Sequence, residues 1–138
     1  MKICLLILLI IGTSSFNNEL NAQIFSVGAS GLTLRAGATF FADGLILTPS
    51  ADITLSGMSL SRNSTVSHAT SNPYISRVYR FSANTPAYSG KVQINYIDPG
   101  ELNSIPEANL ELNVHNGTQW QSISGTDNAS LNYVLRNR

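Results

Sequence analysis

The sequence predicts an all-β fold, and three observations carry that expectation. Period-2 alternation of apolar and polar residues recurs from Ile24 to Arg136, while no stretch in that range places apolar residues at helical spacing without a Gly, Pro, Ser or Asn interrupting it. Turn signals punctuate the alternation at short intervals, which is the signature of an antiparallel sandwich or barrel. Charged residues make up only 12% of the chain and the formal net charge is zero, a balance usual for extracellular β proteins.

The first segment reads differently. Met1-Lys2 is followed by the apolar run "ICLLILLII", Ile3 to Ile11, then by a polar stretch ending "ELNAQ". Charged start, apolar centre and small-residue end are the parts of a secretory signal, and a run this short cannot cross a bilayer as a helix, which takes about 20 residues. The expectation is a signal peptide over residues 1–22, cleaved near Ala22, with the mature chain opening at Gln23 and carrying no membrane span. Leu20 stands where a small residue is more usual. Cys4, the only cysteine, stands at the start of the apolar run rather than after it, which is the wrong place for a lipoprotein box. Residues 23–138 then form one domain without disulfides, which points mildly to a bacterial origin.

Within that domain the candidate strands are "IFSVG", "GLTLRAG", "ATFFA", "GLILTP", "DITLSG", "MSLSR", "ISRVYRFS", "KVQINYI", "NLELNVH", "TQWQSI" and "LNYVLR". Breaks fall at Gly31, Gly37, Asp43-Gly44, Pro49-Ser50, Gly57, Asn72-Pro73, Pro86, Asp98-Pro99-Gly100 and Asn116-Gly117. "KVQINYI" alternates most clearly, with Val92, Ile94 and Tyr96 on one face and Gln93 and Asn95 on the other, as a strand with one buried face requires. The polar stretch Ser61 to Pro73 is expected to be the least ordered. The loop "DPGELNSIPEAN" carries Leu102 and Ile105 and is expected to lie down on the end of the fold.

The segment "LELNVHNGTQWQSIS" poses the sharpest local question, because its loop length decides the face of Trp120, the only tryptophan. A two-residue Asn116-Gly117 turn pairs His115 with Thr118 and Asn113 with Trp120, leaving the indole on the polar face. A three-residue loop, His115 to Gly117, pairs Leu112 with Trp120 and places the indole among Leu110, Leu112 and Val114. Burying a large aromatic surface at about 25 cal/mol per Å² outweighs the turn preference. The expectation is therefore the three-residue loop with Trp120 in the core.

No catalytic, cofactor or metal site is expected. His68 and His115 are the two histidines, both in polar turns and neither beside a nucleophile-elbow motif. Two distant histidines without a mature cysteine offer no zinc spacing. Asp98 and Glu101 could share a calcium ion, but Asp98 opening a Pro-Gly turn is the commoner use. Asp43, Asp52, Asp98, Glu101, Glu107 and Glu111 contain no pair singled out for glycoside hydrolysis. The sequons at Asn63, Asn116 and Asn128 matter only in a eukaryotic secretory pathway. Tyr79 and Phe81 share a face, and no spacing among Tyr74, Tyr88 and Tyr133 makes a glycan platform. The basic residues Arg35, Arg62, Arg77, Arg80, Lys91, Arg136 and Arg138 are scattered, which argues against nucleic acid as a partner.

The stretches "GATFFADGLILTPSADITLSG", "NPYISRVYRFS", "SGKVQINYIDPGELNSIPEANLELNVHNGTQWQSI" and "NYVL" together resemble a module of large, adhesin-like secreted surface proteins of Bacteroidota-type bacteria, exported by the type IX secretion system. The "ELNSIPEANLEL…HNGTQW" portion also resembles a wider class of bacterial Ig-like sandwich modules. The resemblance covers nearly all of residues 23–138. It implies an Ig-like antiparallel β-sandwich and transfers no catalytic residue. Relatives of this kind continue past "NYVL", whereas this chain ends at "RNR", so an incomplete C-terminal sheet edge is expected, open to association. The functional expectation is a secreted or cell-surface, non-enzymatic structural or adhesive module, with other surface proteins or extracellular glycans as partners. The alternative is a carbohydrate-binding module; a hydrolase built on His68 or His115 stands third.

Overall fold

The computed structural model describes residues 3–9, 22–83, 85–123 and 125–137. In chain order the strands are β1 (Ile3–Leu9), β2 (Ala22–Val27), β3 (Leu32–Leu34), β4 (Phe40–Ala42), β5 (Leu45–Pro49), β6 (Ile53–Leu55), β7 (Met58–Asn63), β8 (Tyr74–Phe81), β9 (Gly90–Asn95), β10 (Leu110–His115), β11 (Trp120–Ser122), β12 (Thr126–Asn128) and β13 (Tyr133–Asn137). A single 3-10 turn, Glu107–Asn109, is the only helical element among the described residues. The strands form a six-stranded sheet in the order β11-β10-β1-β8-β7-β2, a five-stranded sheet β12-β13-β9-β5-β4 and a ribbon β3-β6, none of them closed. Every pairing is antiparallel except those of β1, which runs parallel to both its neighbours, β8 and β10.

Alternation turns into burial as expected. On β9, Val92 and Ile94 are buried and Gln93 and Asn95 are not, and Tyr96 continues the buried row beyond the strand. Leu45 and Leu47 of β5 and Val134 of β13 share that side. The six-stranded sheet contributes Leu60, Ile75, Tyr79, Phe81, Leu110 and Leu112, and the ribbon contributes Leu34, Ile53 and Leu55, so all three sheets meet in one apolar cluster. Leu102 and Ile105 join it from the loop after β9, which does lie across the end of the fold.

Two glycines have conformations that the folding of this core requires. Asp43-Gly44 is a two-residue hairpin turn between β4 and β5, with φ of 45° and 89° at its two positions, the double positive φ that matches strand twist. A Cβ on Gly44 would stand 2.6 Å from the Arg77 guanidinium and 3.1 Å from the Tyr79 hydroxyl. Gly90, at φ 137°, lies so close to β5 that a Cβ would overlap the Thr48 carbonyl.

Three features were not foreseen in the sequence. The apolar run read as a leader supplies β1, and β1 stands in the interior of the six-stranded sheet; residues 10–21, with most of the expected cleavage region, lie outside the described residues. Gln23, the expected mature start, falls on β2. A short polar strand, β12, was not foreseen and forms the edge next to β13.

The third departure is a correction to the hairpin register. His115 pairs with Trp120, Val114 with Gln121 and Asn113 with Ser122, so the loop has four residues, Asn116 to Gln119. The Asn116 side-chain oxygen accepts from the backbone N–H groups of Thr118 (2.9 Å) and Gln119 (3.0 Å), and Gly117 takes a positive φ of 95°. Lengthening the loop from three residues to four moves all of β11 to the other face. Trp120 therefore lies on the side of Glu111, Asn113 and His115, away from Leu110 and Leu112, and is half-buried outside the main core.

Candidate functional site

Two clusters of chemistry-bearing side chains stand out among the described residues, one on each side of the six-stranded sheet. The first grows from a break in pattern on β8. Ile75, Arg77, Tyr79 and Phe81 share a face, so the apolar row that fills the core contains one arginine. Arg77 is buried and needs a counter-charge. Glu101, from the loop after β9, supplies it in a two-pronged pair: Arg77 Nε donates to one carboxylate oxygen at 2.6 Å and the second guanidinium nitrogen to the other at 2.8 Å.

Further donors and acceptors of this pair bond to neighbouring groups. Arg77 donates to the Asp43 carbonyl at 2.9 Å, and the Tyr79 hydroxyl donates to the same carbonyl. Glu101 accepts from the Ile97 N–H at 2.9 Å and from Arg62 at 3.2 Å, while Arg62 also reaches the Asp43 carboxylate at 2.6 Å. Burial alone would push the Arg77 guanidinium down, but the bonds to Glu101 and Tyr79 hold it above its ordinary value. Burial raises the Tyr79 hydroxyl. The result is a fastening: it ties the β4–β5 turn and the loop after β9 to β8. Glu101 is thereby committed to Arg77, whereas Asp98 lies exposed in the turn before it, so the two carboxylates considered as a calcium pair serve different ends.

The second cluster brings together the two histidines that lie far apart in the sequence. The rings of His68 and His115 stack with centroids 3.9 Å apart and planes 6° from parallel, and Trp120 meets His115 edge-on at 4.6 Å. His68 belongs to the segment Ser64 to Pro73, which does not trail into solvent but packs on the outer face of the sheet. Val66 lies beside Val78, Tyr74 and Trp120 in a small apolar cluster, and the Trp120 indole N–H donates to the Ala69 carbonyl at 3.2 Å. That cover explains how the indole finds burial on a face the alternation marks as polar.

His115 is 4% exposed, and its Nδ1 accepts from the Gly117 N–H at 3.1 Å, which leaves the proton of the neutral ring on Nε2. Burial, then the neighbouring His68, lowers its pKa from the ordinary value. His68 Nε2 is buried with no hydrogen-bond partner among the described residues. The in-plane lone pairs of parallel stacked rings do not converge on a common point, so this arrangement is poorly shaped to hold one ion between the rings. The carboxylate on the same face, Glu111, is taken up by Ser122 at 2.9 Å and Asn113 at 3.4 Å. Among the described residues no group of three or more His, Cys, Asp or Glu side chains is placed to hold a metal.

The other sequence candidates are dispersed. Tyr88 donates to the Lys91 carbonyl at 2.6 Å and is pushed up to about 12 by burial; Tyr133 accepts from Asn128 at 3.2 Å on the far side of the five-stranded sheet. Glu107 holds the Tyr96 hydroxyl at 2.7 Å, and Asp52 pairs with Arg35 at the surface. A cavity of about 240 Å³ opens between the sheets beneath Thr85 to Tyr88, lined by apolar residues such as Leu34, Leu47, Leu55 and Phe81. Among the described residues no helix is long and apolar enough to cross a membrane. Sequence reasoning missed the Arg77–Glu101 pair, although an arginine in register with Ile75, Tyr79 and Phe81 was its visible signal. No family model, no curated protein and no solved structure matches this chain.

Proposed function

We propose that this chain is a secreted, non-enzymatic β-sandwich of Ig-like character that serves as a structural or adhesive module at a bacterial surface, with residues 1–22 acting as its export leader. The observation that carries this reading is the use of the polar side chains: the buried ion pair fastens loops to the sheets around one apolar core, and the histidines stack on each other rather than on a nucleophile or an acid. The all-β architecture with open sheets supports a modular role, and the resemblance of the sequence to adhesin-like modules supports the surface setting.

The carbohydrate-binding alternative needs a row of exposed rings on one face. Trp120 and Tyr74 belong to the covered outer cluster, Tyr88 borders the core and Tyr133 sits on the opposite sheet, which favours the structural reading. The test is to express the full chain in an exporting bacterium, sequence the N-terminus of the exported protein and assay it against panels of host-cell extracts, glycans and hydrolase substrates. A start at Gln23, retention of binding to surface proteins and no turnover are expected. Hydrolysis that His115→Ala abolishes would overturn the reading.

A further inference from the structure

β8 and β10 do not pair with each other: both pair only with β1 on their facing sides, and β1 runs parallel to each. Ile3, Leu5 and Ile7 stand opposite Leu110, Leu112 and Val114, and Ile7 and Leu9 stand opposite Tyr79 and Phe81. The strand in this position is seven residues of unbroken apolar sequence, ICLLILL, and it is drawn from the segment that the secretion reading assigns to the leader. Removing it divides the six-stranded sheet into β11-β10 and β8-β7-β2, and exposes the N–H and C=O groups on the facing edges of β8 and β10.

We propose that the exported domain is a strand acceptor, in which the slot that β1 fills between β8 and β10 in the full-length chain is left open by removal of the leader and is taken, by β-augmentation, by an apolar strand from a different polypeptide. This rests on the leader reading above. The occupant is defined by what the slot already holds: about seven uncharged apolar residues, extended and parallel to β8 and β10, supplying backbone hydrogen bonds on both edges. A second mature copy is poorly suited to the role, because no stretch of residues 23–138 has more than three consecutive apolar residues. The donor is therefore a segment of another protein.

The experiment begins with the full chain, folded, carrying a protease site inserted within residues 10–21. After cleavage, the nicked protein is incubated with a labelled synthetic peptide of residues 3–9 bearing terminal lysines for solubility, and exchange is followed by anisotropy. Stoichiometric uptake by the nicked protein, none by the uncut chain, and uptake at least about tenfold weaker for a Leu6→Pro peptide, which lacks an N–H and cannot continue the ladder, are expected. Cross-linking between peptide Ile7 and Val114 verifies the parallel register.

Three results would overturn the proposal: loss of the cut segment with no peptide uptake and slow amide exchange on both β8 and β10, showing that the two strands close on each other; concentration-dependent self-association that excludes peptide, showing that a second copy fills the slot; or uptake insensitive to Leu6→Pro. An exported protein that still begins at Met1 removes the leader reading instead, and leaves the peptide result to judge the slot itself.

Discussion

The two faces of the six-stranded sheet bury polar groups in opposite ways. Toward the core, Arg77 and Glu101 are charged and close, and beyond their mutual pair they bond to Asp43, Tyr79, Ile97 and Arg62. On the outer face, His68, His115 and Trp120 meet by ring packing, with His115 and Trp120 each making one hydrogen bond to backbone and, among the described residues, the buried His68 Nε2 finding no partner. The first cluster is held by charge and is costly to break, whereas the second is held by ring packing and yields to protonation of His115.

Arg77→Ala has the largest expected effect. It leaves the buried Glu101 with Arg62 as its remaining cation, at 3.2 Å, and the expected cost is about 3 kcal/mol of unfolding free energy by denaturant titration. A double-mutant cycle with Glu101→Gln should show strong coupling, and additive losses would mean the pair is not the fastening described. Next comes Gly44→Ala, which forces a side chain into a positive φ and toward the Arg77 guanidinium; about 1–3 kcal/mol is expected, with the loss reduced in an Arg77→Ala background. Trp120→Ala should cost less, about 2 kcal/mol, since the indole is only half-buried. Its effect is expected to be local: amide exchange should accelerate in Ser64 to Pro73 while β5 and β9 keep their protection.

Most strands were legible because alternation in this chain marks a real difference between a core face and an outer face, as on β5 and β9. The face of Trp120 was not, for a reason of parity. Two- and four-residue loops put the indole on the same side and a three-residue loop does not, and the choice depended on whether the polar face had its own cover. That cover comes from Val66, His68 and Ala69, in a segment whose composition gives no sign that it packs. The meeting of His68 with His115 was hidden for the same reason. β12 was missed because Thr126-Asp127-Asn128 offers no apolar alternation, and its strand character comes from pairing with β13. β1 shows the limit of composition: one apolar run satisfies the requirements of an export leader and those of an interior strand equally well.

The measurement that bears most directly on the outer cluster is an NMR titration of the His115 ring with the Trp120 indole N–H followed in the same spectra. The folded-state pKa of His115 lies below the ordinary 6.5, so the unfolded chain binds its proton first as pH falls; the stabilisation is whole above about 6.5 and is lost on descending toward the folded value. The account predicts that His115 titrates below 6.5, that the indole N–H stays protected through neutral pH, and that its protection falls as the imidazole charges. A His115 that titrates above 6.5 would contradict it, because that shift requires a group that stabilises the imidazolium, which a stack of buried rings does not supply.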